Sequence, residues 1–204
     1  MLEDPDQRPS SPEPEDPARS DADLVARCLA AGQSYDAAFE ALYQRHSARV
    51  FGFLLRLTNS RGAAEDALQE TFLRVYKSLE RFDARRDLGA WLLQIARYVA
   101  IDAFRVERKV KRLEERRAEE REEVQAAECP AERGERERLV DEVLAALGPE
   151  DRSLLLLRHY EGLTFPAIGE VIDCSARTAQ NRVAAAARRF QQELSKRRVQ
   201  GEDL

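Results

Sequence analysis

The sequence predicts an all-α protein made of two small helical domains joined by a charged linker. Apolar residues recur at helical spacing through most of the 204 residues, and few segments show the alternation typical of strands. Glycine is scarce, with 9 residues. A chain of this length suits one or two domains, and the stretch 107–138 carries 21 charges in 32 positions, too many for a buried core.

Composition divides the chain into four parts. Residues 1–22 are expected to be a disordered, acidic, proline-rich tail, because they hold too little apolar surface to bury. Residues 23–107 are predicted to form the first domain, 108–138 the charged linker and 139–198 the second domain. The chain shows no internal repeat.

Charge and cysteine content exclude several classes of protein. The net charge of −5 argues against a protein that coats nucleic acid indiscriminately. Cys28, Cys129 and Cys174 lie far apart without metal-ligand spacing, so we expect neither a metal nor another cofactor. The odd cysteine count suits a reducing compartment. No apolar run reaches the length of a membrane span and no signal peptide is evident, so we expect a cytoplasmic protein that does not insert into membranes.

The first two helices are predicted from apolar stripes. Asp23 is a candidate cap for a helix whose apolar face holds Leu24, Val25, Cys28 and Leu29. Between 37 and 58 one stripe follows the helical period. Its members are Phe39, Leu42, Tyr43, His46, Val50, Phe53, Leu54 and Leu57. We expect His46 to be a packed histidine and not a ligand, because no partner residues accompany it.

A third helix is predicted over 63–79, after a turn in which Ser60 is the candidate cap. Its inward residues are Leu68, Thr71, Phe72, Val75 and Leu79, and its outward residues are Asp66, Gln69, Glu70, Arg74 and Lys77. The pattern alone favours a solvated outer face. A Glu70–Arg74 pair would contribute only about 0.3 kcal/mol.

A polar loop over 81–89 precedes a fourth helix that runs from Ala90 to Arg105 or beyond. The predicted core face of this helix holds Trp91, Leu92, Ile95, Val99 and Ala103, and Arg97, Tyr98, Asp102 and Arg105 interrupt or border it. Aromatic and basic side chains interleaved on one helix can stack on unpaired bases and neutralise phosphates. For Trp91 a place in the core is favoured.

The second domain begins with a stripe formed by Leu139, Val140, Val143, Leu144 and Leu147. Gly148 is expected to end that helix, and Pro149 to occupy the first turn of the next. The run 154–157 is expected to pack behind two further helices. Of these, the first carries Phe165, Ile168, Val171 and Ile172, and the second follows a turn at 173–175 with Ser175 as its N-cap.

The last helix separates an apolar face from a basic and amide-rich one, which predicts a helix-turn-helix. Ala179, Val183 and Ala186 or Ala187 face inward. The outward residues are Arg177, Thr178, Gln180, Asn181, Arg182, Arg188 and Arg189. Arginine can read guanine, and asparagine or glutamine can read adenine, through paired hydrogen bonds. The alternative is an amphipathic hairpin with a solvated basic face.

Two matches point to one family. The segments AAEDALQETFLRVYKSL (63–79) and GAWLLQIARYVAIDAFR (89–105) resemble conserved region two of bacterial sigma factors. The segment LGPEDRSLLLLRHYEGLTFPAIGEVIDCSARTAQNRV (147–183) resembles their region four. Their order, with only a charged linker between them, resembles the extracytoplasmic-function (ECF) group of sigma factors.

The resemblance implies roles in transcription initiation. The outer face of 63–79 would bind the clamp coiled coil of the largest subunit of core RNA polymerase, through Asp66, Gln69, Glu70 and Arg74. The loop 82–89 would hold a base flipped from the minus-ten promoter element. Promoter melting would involve Arg85, Arg86, Trp91, Arg97, Tyr98, Asp102 and Arg105.

The second domain would bind the minus-thirty-five element of promoter DNA and dock on the polymerase flap. Its DNA-binding residues would be Ser175, Arg177, Thr178, Gln180, Asn181, Arg182 and Arg188. The linker would thread towards the active-site channel of the polymerase. The family also implies an anti-sigma factor as a probable partner, and no catalytic residue.

The chain departs from the family pattern at three places. Tyr98 stands where asparagine is common, Leu88 and Gly89 stand where an aromatic often precedes the tryptophan, and 177–183 replaces the usual recognition sequence. These changes indicate an unusual upstream element. The alternative functions are a two-domain regulator that binds duplex promoters without polymerase, and an adaptor that has lost DNA binding. An enzyme has the least support.

Overall fold

The computed structural model describes residues 20–30, 35–115 and 135–202, and within these ranges the regular structure is helical with no strand. The predicted all-α fold is confirmed. The α-helices are α1 (Asp21–Ala30), α2 (Tyr35–Thr58), α3 (Arg61–Ser78), α4 (Leu88–Glu115), α5 (Glu135–Ala146), α6 (Pro149–Leu155), α7 (Phe165–Val171) and α8 (Ala176–Glu202). A 3₁₀ turn over Leu79–Arg81 follows α3, and a π-helical turn over Leu156–Tyr160 continues α6.

The first domain packs α1, α3 and α4 around α2. The predicted stripe of α2 is buried, including Leu42, Phe53 and Leu54, and it meets the buried faces of α3 and α4. His46 is packed as expected, and its Nε2 lies 3.1 Å from Asp21 Oδ1, so it ties α1 to α2.

The first helix begins three residues earlier than predicted, and its cap is Ser20 and not Asp23. The Ser20 hydroxyl accepts from the Asp23 N–H at 3.2 Å and donates to the Asp23 carboxylate at 2.7 Å. The Ser20 hydroxyl therefore pairs with both the main-chain N–H and the carboxylate of Asp23, which stabilises the first turn of the helix. Leu29 was wrongly placed on the inner face, since it is exposed.

The fourth helix begins two residues earlier than predicted and, as expected, extends beyond Arg105. Asp87 caps it by accepting the Ala90 N–H at 2.6 Å, so the helix begins at Leu88. It runs on to Glu115, past the predicted domain end at 107, because Arg, Lys and Glu are good helix formers even without a core. Ala103 is exposed, contrary to prediction, since it lies beyond the last buried residue, Ile101.

Helix α5 begins at Glu135, four residues before the predicted apolar stripe, and Val140 is exposed instead of buried. Gly148 and Pro149 end one helix and begin the next as predicted. Residues 116–134 of the predicted linker and 1–19 of the predicted tail lie outside the described residues.

A buried arginine fixes the start of the second domain. Arg152 is 6% exposed, and its Nε donates to Leu144 O at 2.7 Å. Its Nη2 donates to the carbonyls of Ala145 and Leu147, and its Nη1 donates to Leu57 O at 2.8 Å. Leu144 and Ala145 lie in the last turn of α5, Leu147 follows that helix, and Leu57 lies in the last turn of α2. One guanidinium therefore caps two helices from different domains.

We expect Arg152→Met to lower the free energy of unfolding by about 2–4 kcal/mol, because it removes four hydrogen bonds to main-chain carbonyls at the junction of the two domains. Urea unfolding followed by circular dichroism measures the change. Arg81→Met is the matched control, since Arg81 is exposed, and it should stay within about 0.5 kcal/mol of the wild type. Equal stability of both variants would contradict the capping role.

Candidate nucleic-acid interface

The predicted helix-turn-helix is present in α7, α8 and the turn between them. Asp173 adopts a left-handed conformation with φ of 54°, which reverses the chain direction. The Ser175 hydroxyl accepts from the Thr178 N–H at 3.2 Å, as predicted for an N-cap. Gly169 allows the turn to approach α7, because a Cβ there would lie 2.6 Å from Cys174 O.

The two faces of α8 separate as predicted. Ala179, Val183 and Ala186 are buried against the rest of the domain. The outward set is exposed except for Thr178, which is half-buried, and it comprises Arg177, Gln180, Asn181, Arg182, Arg188 and Arg189. Arg189 Nη1 donates to both carboxylate oxygens of Asp151, each at 2.7 Å. The amide and arginine side chains nearer the N-terminus of α8 face solvent.

The outer face of α3 presents the residues predicted to meet polymerase. Asp66, Gln69 and Arg74 are exposed, and Glu70 is half-buried with its carboxylate 2.6 Å from Arg74 Nε. Leu73 is also on the surface, 53% exposed. The sequence analysis did not identify Leu73 as a surface residue of this face. Its signal in the sequence is that it is an apolar residue outside the buried stripe of α3.

The loop before α4 presents a basic residue to solvent. The Arg85 N–H donates to Asp83 Oδ1 at 3.0 Å, and its guanidinium Nε donates to the same oxygen at 3.1 Å. This hydrogen bonding lowers the pKa of Asp83 and raises the pKa of Arg85. Arg85 is therefore held close to the loop and stays accessible.

Two residues predicted to contact the melted strand are covered in this structure. Trp91 packs on Phe82, with ring centroids 4.8 Å apart, and is a core residue. Arg97 is 6% exposed, since the second domain lies against it. Burial lowers the pKa of Arg97, the carboxylate of Glu150 opposes this, and the charge of Arg182 adds to it.

The remaining predicted residues of α4 reach the surface. Tyr98 and Asp102 are exposed, and Arg105 Nη1 lies 3.3 Å from Asp102 Oδ1. Arg86 is half-buried, and its Nη2 donates to Gln94 Oε1 at 3.3 Å. Tyr98, Asp102 and Arg105 therefore form an exposed aromatic and charged face on α4, which we call the α4 face. Arg97 belongs to the same face but is covered by the second domain.

An apolar groove of ≈ 630 Å³ lies between α5 and α8 and was not predicted. Its walls include Val140, Leu144, Leu155, Phe190 and Leu194. Arg56 and Tyr160 also line it, with the guanidinium carbon of Arg56 3.7 Å from the ring centroid of Tyr160. Exposed apolar surface of this kind suits a protein partner.

Other kinds of site find no support in the part of the chain that the structure describes. No group of three or more His, Cys, Asp or Glu side chains there is arranged to hold a metal ion. Within the same ranges, no helix has both the length and the hydrophobicity that crossing a bilayer requires. Cys28 is buried, and burial raises the pKa of its thiol, which disfavours reactivity.

Both domains match models of known families. The model described as Sigma-70 region 2 matches residues 42–110, and the model described as Sigma-70, region 4 matches residues 137–190. The RNA polymerase sigma factor CarQ of Myxococcus xanthus is 36% identical over 145 residues, which cover 71% of this chain and 82% of that protein. This chain belongs to the sigma-70 family.

Similarity to a named ECF sigma factor places this sigma factor in the ECF group. The ECF RNA polymerase sigma factor SigK of Mycobacterium tuberculosis is 29% identical over 177 residues, which cover 84% of this chain and 94% of that protein. The match to region 2 does not favour the alternative of a regulator that works without polymerase. The chain is an alternative sigma factor.

Solved structures show the same fold. The sigma factor RpoE of Bartonella quintana, in complex with the anti-sigma factor NepR, aligns with a TM-score of 0.61 at 22% identity and covers 77% of this chain and 96% of its own. CnrH, in complex with the cytosolic domain of CnrY, also aligns with a TM-score of 0.61, at 23% identity, over 86% of this chain and 97% of its own.

We expect Gly169→Ala to destabilise this sigma factor by about 1–3 kcal/mol, because the added Cβ meets a backbone carbonyl that cannot move without shifting the turn. Gly62→Ala is the control, since nothing lies within 4 Å of its added Cβ, and it should be neutral or stabilising. Thermal unfolding measures both changes. A Gly169→Ala protein as stable as the control would show that the turn is loosely packed.

Proposed function

We propose that this sigma factor binds core RNA polymerase and directs it to specific promoters, where it recognises duplex DNA and stabilises the separated strand. The observation that supports this most is that one chain combines an exposed basic recognition helix with a separate aromatic and basic face on α4. A regulator that binds only duplex DNA has no use for the second face. In this proposal the protein supplies promoter recognition to the polymerase and catalyses no reaction itself.

The outer face of α3 is proposed to dock on the clamp coiled coil of the largest polymerase subunit. Its carboxylate and amide groups at Asp66 and Gln69 are exposed, and the Glu70–Arg74 pair and Leu73 add a charged and an apolar contact. A polar rim around an apolar residue is typical of protein interfaces. The apolar groove between α5 and α8 is the proposed contact with the polymerase flap.

The loop residues Arg85 and Arg86 and the α4 residues Arg97, Tyr98, Asp102 and Arg105 are proposed to hold the non-template strand of the minus-ten element. Extruding a base costs a few kcal/mol, which stacking and phosphate contacts can offset. Trp91 would act on the strand only indirectly, by supporting Phe82 and the loop.

The start of α8 is proposed to read the minus-thirty-five element from the major groove. Arg177 and the Gln180–Asn181 pair have the donors and acceptors for base edges, and Arg182 and Arg188 suit phosphates. Ser175 and Thr178 orient the helix start through their hydroxyl contact at 2.9 Å.

An anti-sigma factor is a further proposed partner. The structures of RpoE and CnrH, which share this fold, were determined as complexes, with the anti-sigma factor NepR and with the cytosolic domain of CnrY. The sigma factor is also proposed to act in the cytoplasm, where polymerase and promoter DNA are found.

Run-off transcription with purified core polymerase on genomic DNA fragments tests the proposed function. We expect discrete transcripts that depend on the added protein, and their start points would define the promoter. Identical products with and without the protein, on every template, would overturn the proposal.

We expect Asp66→Ala combined with Gln69→Ala to weaken binding to core polymerase at least about tenfold, because both side chains lie on the docking face. Fluorescence anisotropy of the labelled sigma factor measures the affinity. Glu65→Ala is the control, because it also removes one negative charge from α3, and it should bind as the wild type does. Unchanged affinity of the double variant, with its fold intact, would reject this docking surface.

We expect Arg177→Ala or Asn181→Ala to lose about 1–3 kcal/mol of binding on promoters found by run-off transcription, and to relax specificity at one base position. Lys196→Ala removes a positive charge from the same helix far from its start, so it controls for net charge. Electrophoretic mobility shifts on single-base promoter variants measure the effect. An equal loss on all sequences would assign these residues to phosphate contacts.

A further inference from the structure

Helix α4 continues far beyond the core that its first half packs against. Its last buried residue is Ile101, whereas the helix ends at Glu115. The remaining residues, 102–115, which we call the α4 extension, lengthen the helix by about 21 Å at 1.5 Å per residue. Between 102 and 110 every side chain except that of Phe104 is exposed. The burial of apolar surface therefore does not account for this part of the helix.

The α4 extension carries a stripe of positive charge. Arg108 and Lys109 lie three and four residues after Arg105, which places the three side chains on one side of the helix. Glu107, two residues after Arg105, does not share that side. Residues 105–112 hold five basic residues and one acid, in a chain whose net charge is −5. Positive charge is therefore concentrated in this short segment.

Two of the three charges in the stripe are not neutralised by the protein. Arg105 lies 3.3 Å from Asp102 Oδ1 and 3.1 Å from Glu150 Oε1. Within the residues that the structure describes, Arg108 and Lys109 have neither a hydrogen-bond partner nor an ion-pair partner. Like charges three or four residues apart on a helix repel each other. The stripe is therefore unfavourable by itself and becomes favourable beside an anion.

The composition of the α4 extension indicates that this anion is the backbone of duplex DNA. Residues 105–115 include no aromatic side chain and no Asn, Gln, Ser or Thr. Sites for single strands combine positive charge with aromatic rings on which bases stack, and amide side chains serve to read base edges. A straight helix that offers only charge at fixed spacing suits a rigid duplex, whose phosphates also follow one another at fixed spacing.

The position of the α4 extension indicates which part of a promoter it would meet. From Tyr98 through Arg105 to Lys109 the extension continues the α4 face over about 17 Å. Along the chain it leads away from that face towards the domain that carries α8. The duplex that begins at the upstream edge of the minus-ten element lies between the DNA segments proposed for these two surfaces.

We propose that the α4 extension is a further DNA-binding site, in which Arg108 and Lys109 neutralise phosphates of the duplex immediately upstream of the minus-ten element. The inference rests on the proposed function, because it takes the α4 face as the site of the separated strand. The site adds affinity and holds the edge of the duplex beside that strand. It adds no sequence specificity, since phosphate contacts carry no sequence information.

The test compares Arg108→Gln/Lys109→Gln with a matched control, Arg27→Gln/Lys196→Gln, in holoenzyme reconstituted from the full chain and core polymerase. Each double replaces one exposed arginine and one exposed lysine with a good helix former, so both change the net charge equally. The DNA is a fluorescein-labelled promoter found by run-off transcription. A second form of it carries uncharged methylphosphonate linkages over the few base pairs immediately upstream of the minus-ten element. Anisotropy at several salt concentrations measures the affinity and its salt dependence.

On the ordinary promoter we expect the Arg108→Gln/Lys109→Gln holoenzyme to bind at least about threefold more weakly than the control. We also expect its slope of log affinity against log salt to be shallower by about 1.8, at about 0.9 for each of two lost phosphate contacts. On the methylphosphonate promoter the two holoenzymes should bind equally, because the charges that the stripe would meet are absent.

Three results would overturn this inference. Equal affinity and equal slope of the two doubles on the ordinary promoter would show that the stripe contacts no phosphate. An equal loss on both promoter forms would place the contact outside the upstream duplex. Weaker binding of the Arg108→Gln/Lys109→Gln protein to core polymerase, measured by anisotropy of the labelled sigma factor, would assign the stripe to the polymerase.

Failure of this inference is distinct from failure of the proposed function. If the wild-type protein directs discrete transcripts while the two doubles bind both promoter forms equally, only the site on the α4 extension is overturned. If the wild-type protein directs no transcript from any template, the proposed function is overturned and this inference with it.

Discussion

The arrangement of the two domains depends on the burial of one arginine at their junction. A buried guanidinium is costly unless all its donors are satisfied. Arg152 donates four hydrogen bonds to main-chain carbonyls at the place where the ends of α2 and α5 come together. The negative ends of both helix dipoles also favour the positive charge. The position of the second domain thus follows from a local hydrogen-bonding requirement.

The contacts that surround this junction include ion pairs between the two domains. The α4 face needs positive charge for its proposed strand contact, and that charge attracts any acidic surface nearby. Glu150 and Glu170 supply such a surface within the same molecule. The arginines of this face therefore also hold the second domain against the first.

Much of the fold and part of the site were predictable from the sequence. The apolar stripes of α2, α3 and α8 fixed which faces are buried, because a helix must bury its apolar side. Ser60, Pro149 and Ser175 marked helix starts correctly, since capping depends on nearby residues. The start of α5 was misjudged, because charged residues continue a helix as readily as they form a linker.

The sequence by itself determined the helical class, the order of the two modules, the family to which they belong and the exposed recognition face of α8. These properties depend on periodicity and on short motifs. Only the tertiary structure decided that Arg152 is a buried cap, that Arg97 is covered and that a groove opens between α5 and α8. Each of these depends on residues far apart in the chain, such as Arg97 and Ser153, whose proximity no local pattern encodes.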